Sequence, residues 1–168
     1  MDGHMKKICY QGFSLMESLI TLAIVAIILS LALPSLMRMI EHNRALNTRQ
    51  SIASGMSFTR AHAITQQIPT EMCGSSDGLN CDHKWPQGWL VRTVSEQKIL
   101  RSEQFSTTNN RLSWGRTSST ILYMPNGTSP TSNSSFLYCT QTRGSWRIVL
   151  NRQGRARIEL QADDEACH

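Results

Sequence analysis

Hydrophobic and polar positions divide the chain into three stretches. Residues 18–37 carry no ionisable side chain and are dominated by Leu, Ile, Ala and Val. A helix of that length covers about 30 Å, the thickness of a bilayer's hydrocarbon core. Beyond Pro34 the pattern becomes amphipathic. Met39, Leu46, Ala53, Met56 and Ala63 recur at heptad-compatible spacing, with Glu41, Arg44, Arg49 and Arg60 among the polar positions, and Pro69 ends the run. The spacing predicts one helix over residues 14–67, kinked at Pro34, which lacks a backbone donor. After residue 85 the period shortens. Runs at 89–94, 98–101, 112–114, 120–124, 136–140, 146–150 and 155–160 are β-branched or aromatic and predict strands. Turn signals such as Pro125-Asn126-Gly127 and Gly144-Ser145 separate them, and residues 128–135 predict a mobile loop. Asn126 and Asn133 sit in glycosylation-like triplets and are read as turn residues.

Composition narrows the class. At 168 residues and 40% hydrophobic, the chain has room for one ordinary domain, which excludes a multi-domain enzyme and a polytopic transporter. A cleaved secretory signal fits poorly, because the apolar run is long and no small-residue cleavage site follows it. A lipoprotein signal fails because Cys9 precedes the run. Lys6 and Lys7 before the apolar run predict a cytoplasmic N-terminus and an exported C-terminal part. Met5-Lys6-Lys7 also reads as an ordinary opening, so both Met1 and Met5 stand as starts.

Glu17 is out of place, a single carboxylate at the head of an apolar helix, where charge is costly and is retained for a partner. The run Gly12-Phe13-Ser14-Leu15-Met16-Glu17-Ser18-Leu19 resembles the class III leader junction of type IV pilins and type II secretion pseudopilins. The resemblance implies cleavage by a prepilin peptidase between Gly12 and Phe13 and N-methylation of Phe13. It also implies that Glu17 pairs with a neighbouring subunit's N-terminal amine during assembly. Pro34 falls where many pilins carry a helix-breaking proline. The fold expected is α+β and pilin-like, a long N-terminal helix packed on an antiparallel β-domain. Residues 1–12 form the leader, 13–37 the transmembrane and assembly helix, 38–68 its amphipathic continuation, and 69–168 the β-domain. The implied location is the inner membrane, with the C-terminal domain periplasmic, and then a cell-surface pilus beside other major and minor pilins.

Cys73, Cys81, Cys139 and Cys167 remain beyond the leader, an even number in an exported domain, which predicts disulfides. Three connectivities are possible. Cys73–Cys81 with Cys139–Cys167 is favoured, closing a short loop and tying down the C-terminal tail. A metal site from Cys73, Cys81 and His83 lacks the paired short cysteine spacings of zinc centres. No cofactor is called for. The histidines are scattered, no serine lies in a nucleophile elbow, and the acidic cluster Asp163, Asp164 and Glu165 reads as a solvated tail. No catalytic constellation emerges, and a non-enzymatic role is expected.

Charge then singles out one segment. Of the net +5, residues 141–160 hold Arg143, Arg147, Arg152, Arg155 and Arg157 against Glu159 alone. A local excess of this kind points to an anionic partner. In the last strand Ala156, Ile158 and Leu160 alternate with Arg155, Arg157 and Glu159, and in the preceding one Trp146, Ile148 and Leu150 alternate with Arg147 and Val149. Matching the apolar faces in a hairpin requires an odd-length loop, such as Asn151-Arg152-Gln153 with Gly154 in the left-handed position. Arg147, Arg155 and Arg157 then share one exposed face with Arg152 at the turn, while Trp146 belongs to the core.

The leader, long helix and β-rich C-terminal part together resemble the GspH/FimT group of minor pilins. FimT-like members carry a Gly-Arg-x-Arg motif that contacts DNA, and Gly154-Arg155-Ala156-Arg157 matches it. The resemblance implies a minor pilin that takes up double-stranded DNA in natural transformation. The residues expected to bind are Arg152, Arg155 and Arg157, supported by Arg147 and Arg143. The alternative is a minor pseudopilin of a type II secretion system, or an assembly-priming minor pilin, whose basic hairpin serves subunit contacts.

Overall fold

The computed structural model describes residues 14–105, 111–115, 120–130, 134–139 and 145–160. Among the described residues, one helix, α1 (Leu15–Gln66), precedes eight strands, β1 (Thr70–Gly74), β2 (Gly88–Thr93), β3 (Ile99–Gln104), β4 (Leu112–Trp114), β5 (Thr120–Tyr123), β6 (Ser134–Tyr138), β7 (Trp146–Leu150) and β8 (Ala156–Leu160). The chain forms two compact units, residues 1–40 and 41–168.

In the first unit, α1 is apolar and exposed along its length, and it is long and apolar enough to cross a membrane. Pro34 lies inside the helix, and its carbonyl accepts the Nε–H of Arg38 at 3.2 Å. Glu17 is exposed in the first turn.

In the second unit, two four-stranded antiparallel sheets share one core with the rest of α1. Their orders are β3-β2-β1-β5 and β4-β6-β7-β8. The helix contributes small residues and the sheets contribute large ones. Ala45, Ile52, Met56, Thr59 and Ala63 are buried, together with Ser51 and Gly55. The buried stripe keeps Met56 and Ala63 of the apolar pattern but runs one residue earlier in its first half. Ala45 and Ile52 take the places expected of Leu46 and Ala53, and Met39 is exposed. Close approach explains the offset, since a Cβ on Gly55 would stand 2.7 Å from Met72 Cε and 3.1 Å from the Trp89 ring. Two indoles fasten the helix, one from each sheet. Trp89 donates to Ser51 Oγ at 2.8 Å, and Trp146 donates to the Ala45 carbonyl at 3.0 Å. Each satisfies a buried N–H that would otherwise cost about 1–3 kcal/mol.

Strand β1 has no counterpart in the sequence reading, yet it is central, pairing β2 on one side and β5 on the other. Its Thr-Glu-Met-Cys-Gly sequence is short and lacks a β-branched or aromatic run, so burial between two partners, not propensity, defines it. The stretch read as a mobile loop is otherwise in its described part. Ser129 is fully buried, and Ser134 and Ser135 open β6. Residues 131–133 lie outside the described residues. Asn126 is a turn residue, its side chain accepting from the Thr128 amide at 3.0 Å, whereas Asn133 lies outside the described residues.

The Cys73–Cys81 disulfide is present, with the two Cα atoms 5.6 Å apart. It occupies both thiols that a metal site with His83 would need. Cys139 is also disulfide-bonded, while its expected partner Cys167 lies outside the described residues. Within the first loop, Asp77 accepts from the amides of Asn80 and Leu79 at 2.8 Å each, which with the Asn80 side chain holds its carboxyl well below the usual carboxylate range.

Candidate nucleic-acid interface

The geometry of the basic segment follows from the pairing of β7 with β8. Leu150 faces Ala156, Ile148 faces Ile158 and Trp146 faces Leu160, which places the apolar residues of both strands on one face as the alternation requires. Asn151 and Arg155 close the loop, the Asn151 amide donating to the Arg155 carbonyl at 3.1 Å and the Arg155 amide to Asn151 Oδ1 at 2.9 Å. Gly154 has φ of 73°, the left-handed conformation expected of it. A side chain is excluded there on a second ground, because a Cβ on Gly154 would stand 2.1 Å from the Gly127 carbonyl oxygen. The glycine of the Gly-Arg-x-Arg sequence therefore lets two turns pack backbone to backbone.

Those turns are tied together. The Ser129 amide donates to the Arg152 carbonyl at 3.0 Å. Arg60, from α1, donates through Nε to the Gly127 carbonyl at 3.1 Å and through Nη2 to the Gln153 carbonyl at 3.3 Å. The arginine hairpin is thus held to the helix and to the β5–β6 connection. Arg60 appeared in the sequence only as a polar position of the amphipathic helix, and nothing local marks it as a clamp, since both acceptors are backbone atoms more than 60 residues away.

Arg152, Arg155 and Arg157 are exposed, and the Arg157 side chain retains 83% of its accessibility. Among the described residues, the one acidic contact of these three is Glu159 at 4.0 Å from Arg157. Arg147 differs from the expectation. It shares the outer face of the sheet but is half-buried, with Leu137 opposite on one side and Glu159 opposite on the other. A middle strand flanked by two partners covers its side chain, so Arg147 is not part of the open basic surface. Arg143 lies outside the described residues, as do Gly12 and Phe13. Trp146 is buried and stacks on Tyr138 at 5.2 Å, which makes it a core residue. Beside the hairpin, Met56, Ser57, Arg60, Tyr123, Gly154, Arg155 and Ala156 line a cleft of ≈ 320 Å³.

Comparison with known proteins decides the family. Residues 48–154 match the model for the type II transport protein GspH, and residues 9–33 match the prokaryotic N-terminal methylation motif. The chain belongs to the GspH family, within the GspH/FimT group of type IV minor pilins and pseudopilins. The GspH match ends at Gly154, so Arg155, Arg157 and β8 lie beyond it. No curated protein matches the chain. Among solved structures, the type IV minor pilin FimU of Pseudomonas aeruginosa is similar in fold in two crystal forms. One is 18% identical with a TM-score of 0.56, covering 74% of this chain and 92% of FimU. The other is 17% identical with a TM-score of 0.53, covering 68% and 91%. The α+β pilin fold is accordingly that of this family, and the methylation motif with its apolar helix fits anchoring in the inner membrane and assembly with other pilins.

Proposed function

We propose that this chain is a minor type IV pilin that captures extracellular DNA, without sequence preference, for uptake in natural transformation. The observation that supports this reading most strongly is the hairpin at residues 146–160. Arg152 and Arg155, at a turn clamped to the helix and to a second turn, and Arg157 beside them on β8 are exposed, with one 4.0 Å carboxylate contact among the described residues. Guanidinium groups stay charged at any physiological pH and bind phosphate through paired N–H donors. Contacts to phosphate alone carry no base information, which suits a protein that must accept arbitrary DNA.

The rest of the reading follows the family. The prepilin peptidase cuts between Gly12 and Phe13 and methylates Phe13, Glu17 meets a neighbouring subunit's amine, and the globular part faces the periplasm before entering the pilus. The role is binding, not catalysis.

A second reading has its own support. Ile158 and Leu160, on the apolar face of β8, remain 43% and 66% exposed, an apolar edge suited to contact between subunits of a type II secretion pseudopilus. Titrating the full chain, in nonionic detergent with disulfides formed, against several unrelated short duplexes separates the two. Comparable affinity for every duplex supports DNA capture. Absence of binding at low salt assigns the hairpin to subunit contacts.

A further inference from the structure

The cleft beside the hairpin is built differently from the open arginine surface. Its floor and walls come from three elements distant in sequence. Met56, Ser57 and Arg60 belong to α1, Tyr123 ends β5, and Gly154, Arg155 and Ala156 lead into β8. At ≈ 320 Å³ it lies within the size range of small-ligand sites. Among the described residues, Arg60 is the only half-buried cation that lines it, and its guanidinium is not used up by the clamp. An arginine has five N–H donors. Two go to the Gly127 and Gln153 carbonyls, and the other three have no protein acceptor among the described residues. Because the two carbonyls fix the guanidinium plane, those three donors keep a set direction at little further entropic cost. Among the described residues the lining contains no carboxylate. Tyr123 is buried and close enough to feel the Arg60 charge, yet burial pushes its phenol further up, so it stays neutral and able to donate.

We infer that this cleft is a subsite for one backbone phosphodiester of the captured DNA, held between Arg60 on the helix and Arg155 on the hairpin. The inference rests on the DNA-capture reading and adds a contact from the helix. Donors converging from three elements, with apolar Met56 and Ala156 beside them, fit a phosphodiester with its attached sugar better than a free metal cation, which two guanidinium groups would repel. The helix-borne arginine also explains why the hairpin tip is clamped to α1. The same guanidinium sets the position of the turn and takes the ligand, so the spacing of Arg60 and Arg155 does not depend on an isolated two-stranded tip.

Replacing Arg60 would loosen the turn as well as remove a donor, so the test leaves Arg60 in place. Ser57 lines the cleft, is exposed, and spends its hydroxyl on the Ala53 carbonyl of its own helix at 2.9 Å. Ser57→Glu puts a carboxylate into the cleft, Ser57→Gln gives a neutral side chain of the same length, and Gln50→Glu puts the same charge two turns away on an exposed helix position. Each full-length variant is titrated with a labelled duplex across a salt series. The inference predicts that Ser57→Glu weakens binding about tenfold and lowers the salt slope by about 1, the value of one phosphate contact. Gln50→Glu should stay within about twofold of the parent, and Ser57→Gln, which fills the cleft without adding charge, should keep the salt slope of the parent. Equal weakening by Ser57→Glu and Gln50→Glu, with unchanged slopes, would overturn the subsite while leaving DNA capture intact. A parent chain that binds no DNA at low salt overturns both.

Discussion

The two sheets treat arginine in opposite ways. In the first, Arg92 on β2 lies directly across from Glu71 on β1, with Nε 2.6 Å from the carboxylate and both side chains largely buried. Arg101 on β3 lies over the Phe58 and Trp89 rings at 5.9 and 5.5 Å. These cations are already spent on partners inside the protein. In the second sheet, the turn and β8 carry Arg152, Arg155 and Arg157 with one distant carboxylate between them. A guanidinium engaged by its own fold contributes to stability, whereas one left solvated on a fixed turn contributes almost nothing to stability and is available to a ligand. The partners within reach, not strand position, decide which happens, since Arg101 lies on the edge strand β3 and is still taken up by two rings. Within the basic hairpin, Arg147 on the inner strand is half-buried, its Nε without a hydrogen-bond partner among the described residues, while the arginines of the turn and edge strand are open.

The largest expected effect breaks the platform of the second sheet. Gly154→Ala must place a Cβ against the Gly127 carbonyl while holding a positive φ. We expect a loss of about 3 kcal/mol in urea unfolding followed by tryptophan fluorescence. An unchanged midpoint would mean that the two turns are not locked together. In the first sheet, Cys81→Ser opens the disulfide loop. The chain-entropy cost of a closed loop of that size is about 2.5 kcal/mol, read from the same unfolding curves.

Next comes the contrast between spent and open arginines. Arg92→Gln leaves Glu71 without its partner in a largely buried setting and should cost about 1.5 kcal/mol without altering DNA binding. Arg155→Gln and Arg157→Gln should each change stability by less than about 0.5 kcal/mol. If the two edge arginines proved as costly to stability as Arg92, the division between the sheets would collapse. The smallest effect concerns pH. The amides that hold the Asp77 carboxyl low also make its ionised form part of the folded loop. That stabilisation is complete above the ordinary carboxylate value and is lost as pH falls through the lowered folded value. The protection of the Leu79 and Asn80 amides, their exchange rates divided by the intrinsic rates at each pH, should therefore fall under strong acid and stay flat from pH 5 to 7.

Much of this was legible in the sequence, and the failures have physical causes. The apolar run with Glu17, the strands at 112–114 and 146–150, and the left-handed Gly154 are local signals, and each stands where its pattern put it. The Cys73–Cys81 bridge was legible as a short loop in an exported domain. Strand β1 was not, because its five residues owe their conformation to two neighbours and carry no propensity of their own. The first half of the buried face of α1 was misread by one residue, at Ala45 and Ile52, while Met56 and Ala63 stand where the pattern put them; Ala45 and Gly55 are buried for their smallness, which hydropathy does not register. Arg60 was invisible as a site residue for a further reason, since its partners are backbone carbonyls brought to it by the β5–β6 and β7–β8 turns. On the DNA-capture proposal a single hairpin offers few contacts, so strong retention would draw on several copies or neighbouring subunits.

The most direct test of the central claim is the salt dependence of DNA binding by the full chain in nonionic detergent, set beside the double variant Arg155→Gln, Arg157→Gln and beside Arg92→Gln. If the open arginines bind DNA, log affinity falls linearly with log salt for the parent and for Arg92→Gln, and the slope is shallower by about 2 for the double variant, one unit per lost phosphate contact. Equal slopes for all three would contradict it, and would show that the open arginines of the last hairpin are not where DNA binds.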